Sequence, residues 1–186
     1  MTIQTPLAPT VTAPPVPHDD VYRDGRFQPD DWARLADDAP LPPEGRVLLS
    51  VRRFLDDMAA GAIGNRPVGV IVAPADRVGD LVPHLDRLAV IAVDFPKFSD
   101  GRGFSHAALI ARHGFSGELR AVGNVLIDQV TFMQRLGFVS FEVRHAVSRR
   151  YLSEGRNPSP KHYYQPAVIS EPPVGTRPWL RRAKDR

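Results

Sequence analysis

Residues 94–105 (DFPKFSDGRGFS) combine charged side chains and glycines in a way that suits anion binding. The two glycines that flank Arg102 allow backbone conformations that point successive N–H groups the same way. A helix that starts near Ser105 would add the positive end of its dipole. Together with Lys97 and Arg102, these groups could cradle an oxyanion such as phosphate or sulfite. The candidate ligand-binding residues here are Asp94, Lys97, Asp100, Gly101, Arg102, Gly103 and Ser105.

The same stretch also has a purely structural interpretation, as a charged connecting turn. Asp100 would then accept hydrogen bonds from its own loop backbone, as aspartates in turns commonly do. Arg102 would pair with Asp94 or with Asp128. The sequence leaves both interpretations open, although a connector this rich in charge and glycine is unusually long.

No cofactor or metal site is evident from the residue types. In a GxGxxG dinucleotide motif beginning at Gly101 and Gly103, the third glycine would fall at position 106, which is His. A flavin or NAD(P) is therefore left open without support from a motif. The chain has no cysteine, which excludes disulfides, thiolate nucleophiles and cysteine-held iron–sulfur clusters. The six histidines lack zinc-binding spacing, so no metal site is predicted.

Charged residues also occur within two predicted strands near the carboxyl end of the chain. Arg120 lies on the opposite face from Leu119 and Ala121, and Glu142 opposes Phe141 in the same way. A charge inside a parallel strand is costly unless it is paired or functional. An Arg120–Glu142 ion pair is the structural interpretation. In the functional alternative, Arg120 lies at the end of the strand as a second anion clamp.

Three polar residues follow the strand 119–122. Asn124 is predicted to cap a helix over residues 125–136. Gln129 falls within an otherwise apolar stripe of that helix, which predicts a polar role at the edge of the core. Asp128 is the candidate general base, and a first-turn acid that stabilises the helix dipole is its structural alternative.

These residues are positioned by strands that alternate with helices. Apolar runs predict strands at 46–51, 68–73, 88–93, 119–122 and 139–143, with helices over 52–60, 76–88, 105–112 and 125–136 between them. Pro83 would kink or shorten the second helix. The fold class is therefore α/β, with a mainly parallel sheet of about five strands, either open and doubly wound or a partial barrel. Ligands bind such sheets at the carboxyl ends of the strands.

The chain ends differ in composition from this central part. Residues 1–20 are rich in proline and threonine and are predicted to be a disordered tail. Residues 21–165 form the single α/β domain, starting with a hairpin around Asp24–Gly25 and a helical turn capped near Asp30. Residues 166–186 are predicted to be an extended basic tail.

Charge and hydropathy narrow the classes of partner. No apolar run approaches the roughly 20 residues that span a bilayer, and no secretory signal is visible, so a cytoplasmic protein without membrane association is expected. The basic residues near Trp179 are too few to predict nucleic-acid binding. A homo-oligomer is left open.

The segments FPKFSDGRGFS, GELRAVGNVLIDQ and GF, within residues 95–138, carry a resemblance to a known family. They resemble the signature of an uncharacterised, mostly proteobacterial family. Its members are commonly encoded beside assimilatory sulfite reductase and often labelled "oxidoreductase probably involved in sulfite reduction". A looser match extends from Asp31–Trp32 to Tyr164–Gln165–Pro166. The sequence departs from the family pattern at Asn124, where an acidic residue is usual, and at His106, where a longer polar one is usual.

The resemblance implies a pathway, sulfur assimilation, with the sulfite reductase haemoprotein as the natural partner. Since the chain has no redox side chains, the first hypothesis is a non-redox accessory protein that binds the haemoprotein or a sulfur oxyanion. The predicted binding surface is formed by Lys97, Asp100, Arg102, Arg120, Asn124 and Asp128. Arg120, Asn124 and Gln129 thereby join the candidate ligand-binding residues of the loop 94–105. The second is a flavin- or nicotinamide-dependent oxidoreductase. There, Arg102 and the helix start at Ser105 would hold the cofactor phosphate and Asp128 would act as acid or base. The third is a structural module whose proline-rich arms tether a larger complex.

Overall fold

A computed structural model describes residues 20–156, in which eight strands form one mixed sheet. The strand order is β2-β1-β8-β7-β6-β5-β4-β3. The strands from β3 to β8 run parallel to one another, whereas β1 pairs antiparallel with both β2 and β8. The strands are β1 (Asp20–Arg23), β2 (Arg26–Pro29), β3 (Trp32–Arg34), β4 (Arg46–Ser50), β5 (Val68–Val72), β6 (Leu88–Phe95), β7 (Glu118–Gly123) and β8 (Ser140–Phe141). The helices are α1 (Val51–Ala59), α2 (Arg102–Arg112), α3 (Ile127–Arg135) and α4 (Ala146–Ser153), with a 3₁₀ segment at Val78–Arg87.

The α/β class is confirmed, whereas the predicted count of about five strands is wrong. The five predicted strands are the central parallel ones, and three short strands extend the sheet at its edges. The predicted hairpin is present as β1 and β2, which pair antiparallel around Asp24 (φ 52°) and Gly25 (φ 79°). The predicted helical turn after Asp30 is wrong, because residues 32–34 pair with β4 instead. These edge strands are too short and too exposed to give an apolar run.

The connection between β2 and β3 requires the sheet to curl. The two strands lie at opposite edges of an eight-strand order, yet only Asp30 and Asp31 separate them. A flat sheet of this size would hold its edges roughly 33 Å apart, whereas the link from residue 29 to residue 32 spans at most about 11 Å. The sheet is accordingly a curled half-barrel. Of the two predicted architectures, the partial barrel is therefore the nearer one.

The two faces of the curled sheet differ in chemistry. The outer face carries the main hydrophobic core, in which Val70, Ile91 and Phe95 are fully buried along with Phe54 of α1 and Ile110 of α2. The inner face carries the alternate residues of the same strands. It has a few buried apolar side chains, and it also holds buried charged groups that the outer face lacks.

Several helix boundaries differ from the predicted ones. The segment that contains Pro83 is a 3₁₀ helix rather than an α-helix, consistent with the missing N–H of proline. Helix α2 begins at Arg102 rather than near Ser105, and α3 begins at Ile127 with Leu126 at its N-cap position, so Asn124 does not cap it. Helix α4 was not predicted. Within residues 20–156, no helix is long and apolar enough to cross a membrane.

The predicted tails fall largely beyond this part of the chain. The disordered tail predicted for residues 1–20 lies outside the described residues except for its last position, which begins β1. The basic tail predicted for residues 166–186 lies outside them entirely.

Candidate functional site

Four charged residues from three separate segments meet at the carboxyl end of the inner face. Asp94 is near the end of β6, Glu142 and Arg144 directly follow β8, and Arg34 ends β3 on the far edge of the sheet. Curling of the sheet is what brings Arg34 to the others. We call these four residues the mouth cluster. They lie where parallel sheets place their ligands.

Glu142 is the centre of the mouth cluster. Its side chain is 4% exposed, and one of its oxygens accepts hydrogen bonds from Nε and Nη2 of Arg144 at 3.1 and 2.8 Å. The other oxygen accepts from Nη2 of Arg34. The two arginine side chains are 37% and 43% exposed, so both remain partly accessible to solvent. A buried carboxylate thus holds two partly exposed guanidinium groups in place.

Asp94 is the second carboxyl group of the mouth cluster, and it is half-buried. Burial raises the pKa of Asp94 above its usual value, against the lowering effect of Arg34 and Arg144. The carboxyl group packs on Gly123, because a Cβ built there would lie 2.6 Å from Asp94 Oδ1. Gly123 also has φ +92°, a conformation that glycine adopts readily and other residues rarely do. The β7 terminus therefore has to be glycine for Asp94 to occupy this position.

A second charged group lies deeper on the same inner face. Arg120, whose side chain is 1% exposed, donates to Glu118 Oε1 from Nε (2.9 Å) and Nη2 (2.8 Å) and to Asp30 Oδ2 from Nη1 (2.7 Å). Glu118 also accepts from the Ser140 hydroxyl and from Nη1 of Arg23. We call these five residues the buried network.

The buried network corrects the predicted ion pair of Arg120. Arg120 pairs with Glu118 and Asp30, and Glu142 pairs with Arg34 and Arg144 instead. The prediction failed because Asp30 was expected to cap a helix. Burial alone would raise the pKa of Glu118, but the Ser140 hydroxyl and the guanidinium groups of Arg120 and Arg23 together lower it. Arg120 is 1% exposed, and each of its three guanidinium nitrogens donates to a carboxylate. It therefore offers no accessible donor for the predicted role as an anion clamp.

The loop before α2 is closer to its structural interpretation. Asp100 Oδ1 accepts from the Arg102 backbone N–H at 3.2 Å and from Arg102 Nε at 3.0 Å, and Oδ2 accepts from Nη2 at 2.7 Å. The hydrogen bonds from Arg102 lower the pKa of Asp100 to about 2. Arg102 thus pairs with Asp100, whereas the predicted partners were Asp94 and Asp128. Asp100 thereby occupies the backbone N–H of Arg102, one of the donors that the anion-binding interpretation assigned to a ligand.

Neither glycine of this loop has a positive φ, and Gly103 is required for packing. Gly101 is the N-cap of α2 with φ −78°, an ordinary value for any residue. Gly103 lies in the first turn, and a Cβ there would come within 2.5 Å of the buried Phe95 ring. Close approach of α2 to β6 therefore explains Gly103. Ser105 is an exposed residue within the helix, not its cap.

Gln129 fixes the position of the same loop. Its side-chain Nε2 donates to the carbonyl of Phe98 at 2.8 Å, and its Oε1 accepts from the Leu126 backbone N–H at 3.4 Å. The exposed loop is thereby fastened to the start of α3. The predicted polar role of Gln129 at the core edge corresponds to this contact.

The remaining predicted residues are exposed. Asn124 binds through its backbone, donating from N–H to the Phe95 carbonyl at 2.7 Å. Asp128 lies in the first turn of α3, where a carboxylate favours the helix dipole. Lys97 lies on the loop beside Phe98, whose side chain is 57% exposed. Within residues 20–156, no group of three or more histidine, aspartate or glutamate side chains is placed to hold a metal ion.

Sequence reasoning missed Arg34 and left Glu142 and Arg144 out of the candidate ligand-binding residues. The order of the parallel strands was a usable signal for the latter pair, since β6, β7 and β8 are neighbours and their carboxyl ends meet. Arg34 left no such signal, because its strand was predicted to be a helical turn.

Comparison with known proteins identifies a family for the chain. The family model described as "Bacterial protein of unknown function (DUF934)" matches residues 69–175, more than half of the chain. The matched range includes Asp94, Arg102, Arg120, Glu142 and Arg144 but begins after Arg34. No curated protein and no solved structure matches the chain.

Proposed function

The chain belongs to this bacterial family of unknown function, and we propose that it is a cytoplasmic, non-redox accessory protein of assimilatory sulfite reduction. In this role it docks on the sulfite reductase haemoprotein through the loop between β6 and α2. The choice of pathway and partner rests on the resemblance carried by residues 95–138. The choice of surface rests on the exposed Phe98 at the tip of that loop.

Phe98 has the properties of an interface anchor. Its side chain is 57% exposed, and aromatic residues are enriched at the energetic centres of interfaces. Its backbone is already held by Gln129, so less conformational freedom is lost when a partner binds.

Neighbouring side chains extend this surface. Phe132, which is 39% exposed, follows Gln129 by three residues and so lies on the same side of α3. Its ring packs edge-on against that of Phe104, with the ring centroids 5.0 Å apart. Lys97 and Arg102, both exposed, flank Phe98 along the loop. Exposed aromatic and arginine side chains together are typical of protein interfaces. The docking face is therefore composed of Lys97, Phe98, Arg102 and Phe132.

The pairing of Arg102 supports a protein partner at this loop over a free sulfur oxyanion. Both carboxylate oxygens of Asp100 are bonded to Arg102, so the pair is close to neutral. An oxyanion would have to displace Asp100 before it could be clamped. A partner surface can instead contact Phe98 and the outer edge of the guanidinium without breaking the pair.

Co-purification tests the docking proposal. Tagged full-length protein is purified from its own host grown on sulfate as sulfur source, and haemoprotein is quantified by mass spectrometry and haem absorbance. We expect the haemoprotein to co-elute with the wild type. Purified haemoprotein should then bind Phe98→Ser at least roughly 30-fold more weakly, as loss of an aromatic anchor implies.

The matched control is Val147→Ser on α4, which removes another exposed apolar side chain (47% exposed) away from the loop. It should bind like the wild type. The proposal fails if no haemoprotein accompanies the wild type, or if Phe98→Ser and Val147→Ser bind equally well.

A further inference from the structure

The mouth cluster has the composition of a ligand site that is separate from the docking face. It lies at the carboxyl ends of adjacent parallel strands, and its residues come from distant parts of the sequence. The side chain of Glu142 is buried, while those of Arg34 and Arg144 are 37% and 43% exposed. The buried carboxylate of Glu142 therefore holds two arginine side chains that remain partly accessible to solvent.

Hydrogen-bond donors of both arginines remain available. Arg144 uses Nε and Nη2 on Glu142, and Arg34 uses Nη2. In the described part of the chain, the Nη1 groups of Arg34 and Arg144 make no hydrogen bond, and neither does the Asp94 carboxyl group. Two guanidinium groups held by one carboxylate match the planar, multiply bonded recognition that small oxyanions receive from arginine.

We propose that the mouth cluster binds a small oxyanion together with a proton, with Arg34 and Arg144 supplying the positive charge and protonated Asp94 donating a hydrogen bond. The charge balance requires the proton. Counting these four described side chains alone, an ionised Asp94 and Glu142 together cancel the charges of the two arginines. With Asp94 protonated, the cluster carries one net positive charge, and its anion partner neutralises it.

The groups that face Asp94 determine the direction of the pH dependence. They are Arg34 from β3, Arg144 and Glu142 after β8, and Asp100 before α2, which is itself paired with Arg102. Burial raises the pKa of Asp94 despite the two arginines, so the carboxyl group keeps its proton to higher pH than an ordinary aspartate. Oxyanion affinity should therefore fall as pH rises through the titration of Asp94.

Titration calorimetry on the full chain tests this proposal with sulfite, inorganic phosphate and acetate, each at about pH 5 and pH 8. The probes themselves titrate, so the diagnostic quantity is the affinity ratio of wild type to Asp94→Asn. The asparagine amide donates a hydrogen bond at every pH. We expect the two proteins to bind at least one probe similarly at the lower pH, and the wild type to fall roughly tenfold or more behind at the higher pH. The probe that binds best identifies the geometry of the natural oxyanion.

Arginine variants locate the site. Arg144→Gln should weaken binding at least roughly tenfold, and Arg144→Lys should recover part of it. Arg102→Gln should have a much smaller effect, since Arg102 acts on Asp94 only through its partner Asp100. Urea unfolding midpoints check that each variant is folded. If Arg144→Gln does not fold, Arg144→Lys and Asp94→Asn still test the proposal. Co-purification of the haemoprotein should be unaffected by Arg144→Gln, so this site and the docking face fail or stand separately.

Three results would overturn the inference. The first is that none of the three probes binds the wild type at about pH 5. The second is that Arg102→Gln weakens binding as much as Arg144→Gln, which would place the oxyanion at the loop. The third is that the affinity ratio of the wild type to Asp94→Asn is the same at both pH values.

Discussion

The buried network and the mouth cluster use the same residue types on the same face of one sheet. In the buried network, Arg120 is 1% exposed and has its three guanidinium nitrogens bonded to carboxylates. In the mouth cluster, Arg34 and Arg144 share one carboxylate and are about two-fifths exposed. Arginine and acid at a strand end therefore do not by themselves indicate a binding site. The distinction lies in whether donors remain open to a ligand once the internal pairs have formed.

The two carboxyl groups Glu118 and Asp94 show the same contrast. Both are partly removed from water, which disfavours the charged form. Hydrogen bonds from Ser140 and Arg120 outweigh that effect at Glu118 and lower its pKa. No comparable hydrogen bond reaches Asp94 within residues 20–156, and its pKa is raised. The surroundings of Glu118 therefore favour its ionised form, whereas those of Asp94 favour its protonated form.

The largest predicted effect is a difference in stability between a variant of the buried network and a variant of the mouth cluster. Arg120→Met removes the cation that Asp30 contacts and leaves Glu118 with the partly exposed Arg23, and we expect a loss of about 3–5 kcal/mol in the free energy of unfolding. Arg144→Met leaves Glu142 still paired with Arg34, and we expect a loss of less than about 1 kcal/mol. Urea denaturation followed by circular dichroism measures both. Similar losses in the two variants would show that the mouth cluster is also a structural device.

A smaller effect should come from the floor of the mouth cluster. Gly123→Ala places a methyl group 2.6 Å from Asp94 Oδ1 and from the Phe95 carbonyl oxygen, at a φ of +92°. We expect a loss of about 2–4 kcal/mol from the combined clash and backbone strain. Gly101→Ala is the control, since nothing lies within 4 Å of its Cβ position, and it should stay within about 0.5 kcal/mol of the wild type. A Gly123→Ala protein as stable as Gly101→Ala would mean that Asp94 has more room than its position requires.

The smallest effect is one of sign, in the pH dependence of stability. The lowered pKa of Glu118 contributes stability that is present above its unfolded value of about 4.5 and lost as pH falls through the folded value. The raised pKa of Asp94 contributes stability that is present below about 3.8 and lost as pH rises through its folded value.

Unfolding free energies of Glu118→Gln and Asp94→Asn between about pH 3 and pH 6 measure these opposite trends. The deficit of Glu118→Gln relative to the wild type should shrink toward acid. Asp94→Asn should gain on the wild type as pH rises above about 4. Both slopes should stay below the roughly 1.4 kcal/mol per pH unit of one fully linked proton, because neither group is fully enclosed. Parallel slopes would remove the distinction between the two carboxyl groups.

The central strands were predictable because their apolar runs are continuous. Val68–Val72 and the start of Leu88–Phe95 consist largely of β-branched and aliphatic residues, as expected of strands buried on both faces. The charged loop after β6 was correctly placed at the carboxyl edge for the same reason. Local patterns of this kind are set by burial, which the sequence displays directly.

The pairing of the charges was not predictable, because closure of the sheet decides it. Asp30 resembles a helix cap in sequence, yet it reaches Arg120 90 positions later. Arg34 lies on a three-residue strand without an apolar run and meets Glu142 108 positions later. The predicted start of α2 was wrong for a local reason. Asp100 accepts hydrogen bonds from Arg102, and the helix begins at Arg102 rather than near Ser105. The pairs Asp30–Arg120 and Arg34–Glu142 depend on the global curl of the sheet, whereas the Asp100–Arg102 pair is local.

The position of the β1–β2 hairpin bears on the order in which the protein can complete its fold. Among the described strands, the hairpin is synthesised first, yet beyond itself it pairs with β8, antiparallel, where Tyr22 pairs with Phe141 and Arg23 with Ser140. An isolated two-stranded hairpin is marginal in water. It therefore lacks its partner strand until residues 30–141 have been synthesised. The first described strands of the chain are thus held by the last described one, and the sheet stays incomplete while the segments between them are translated.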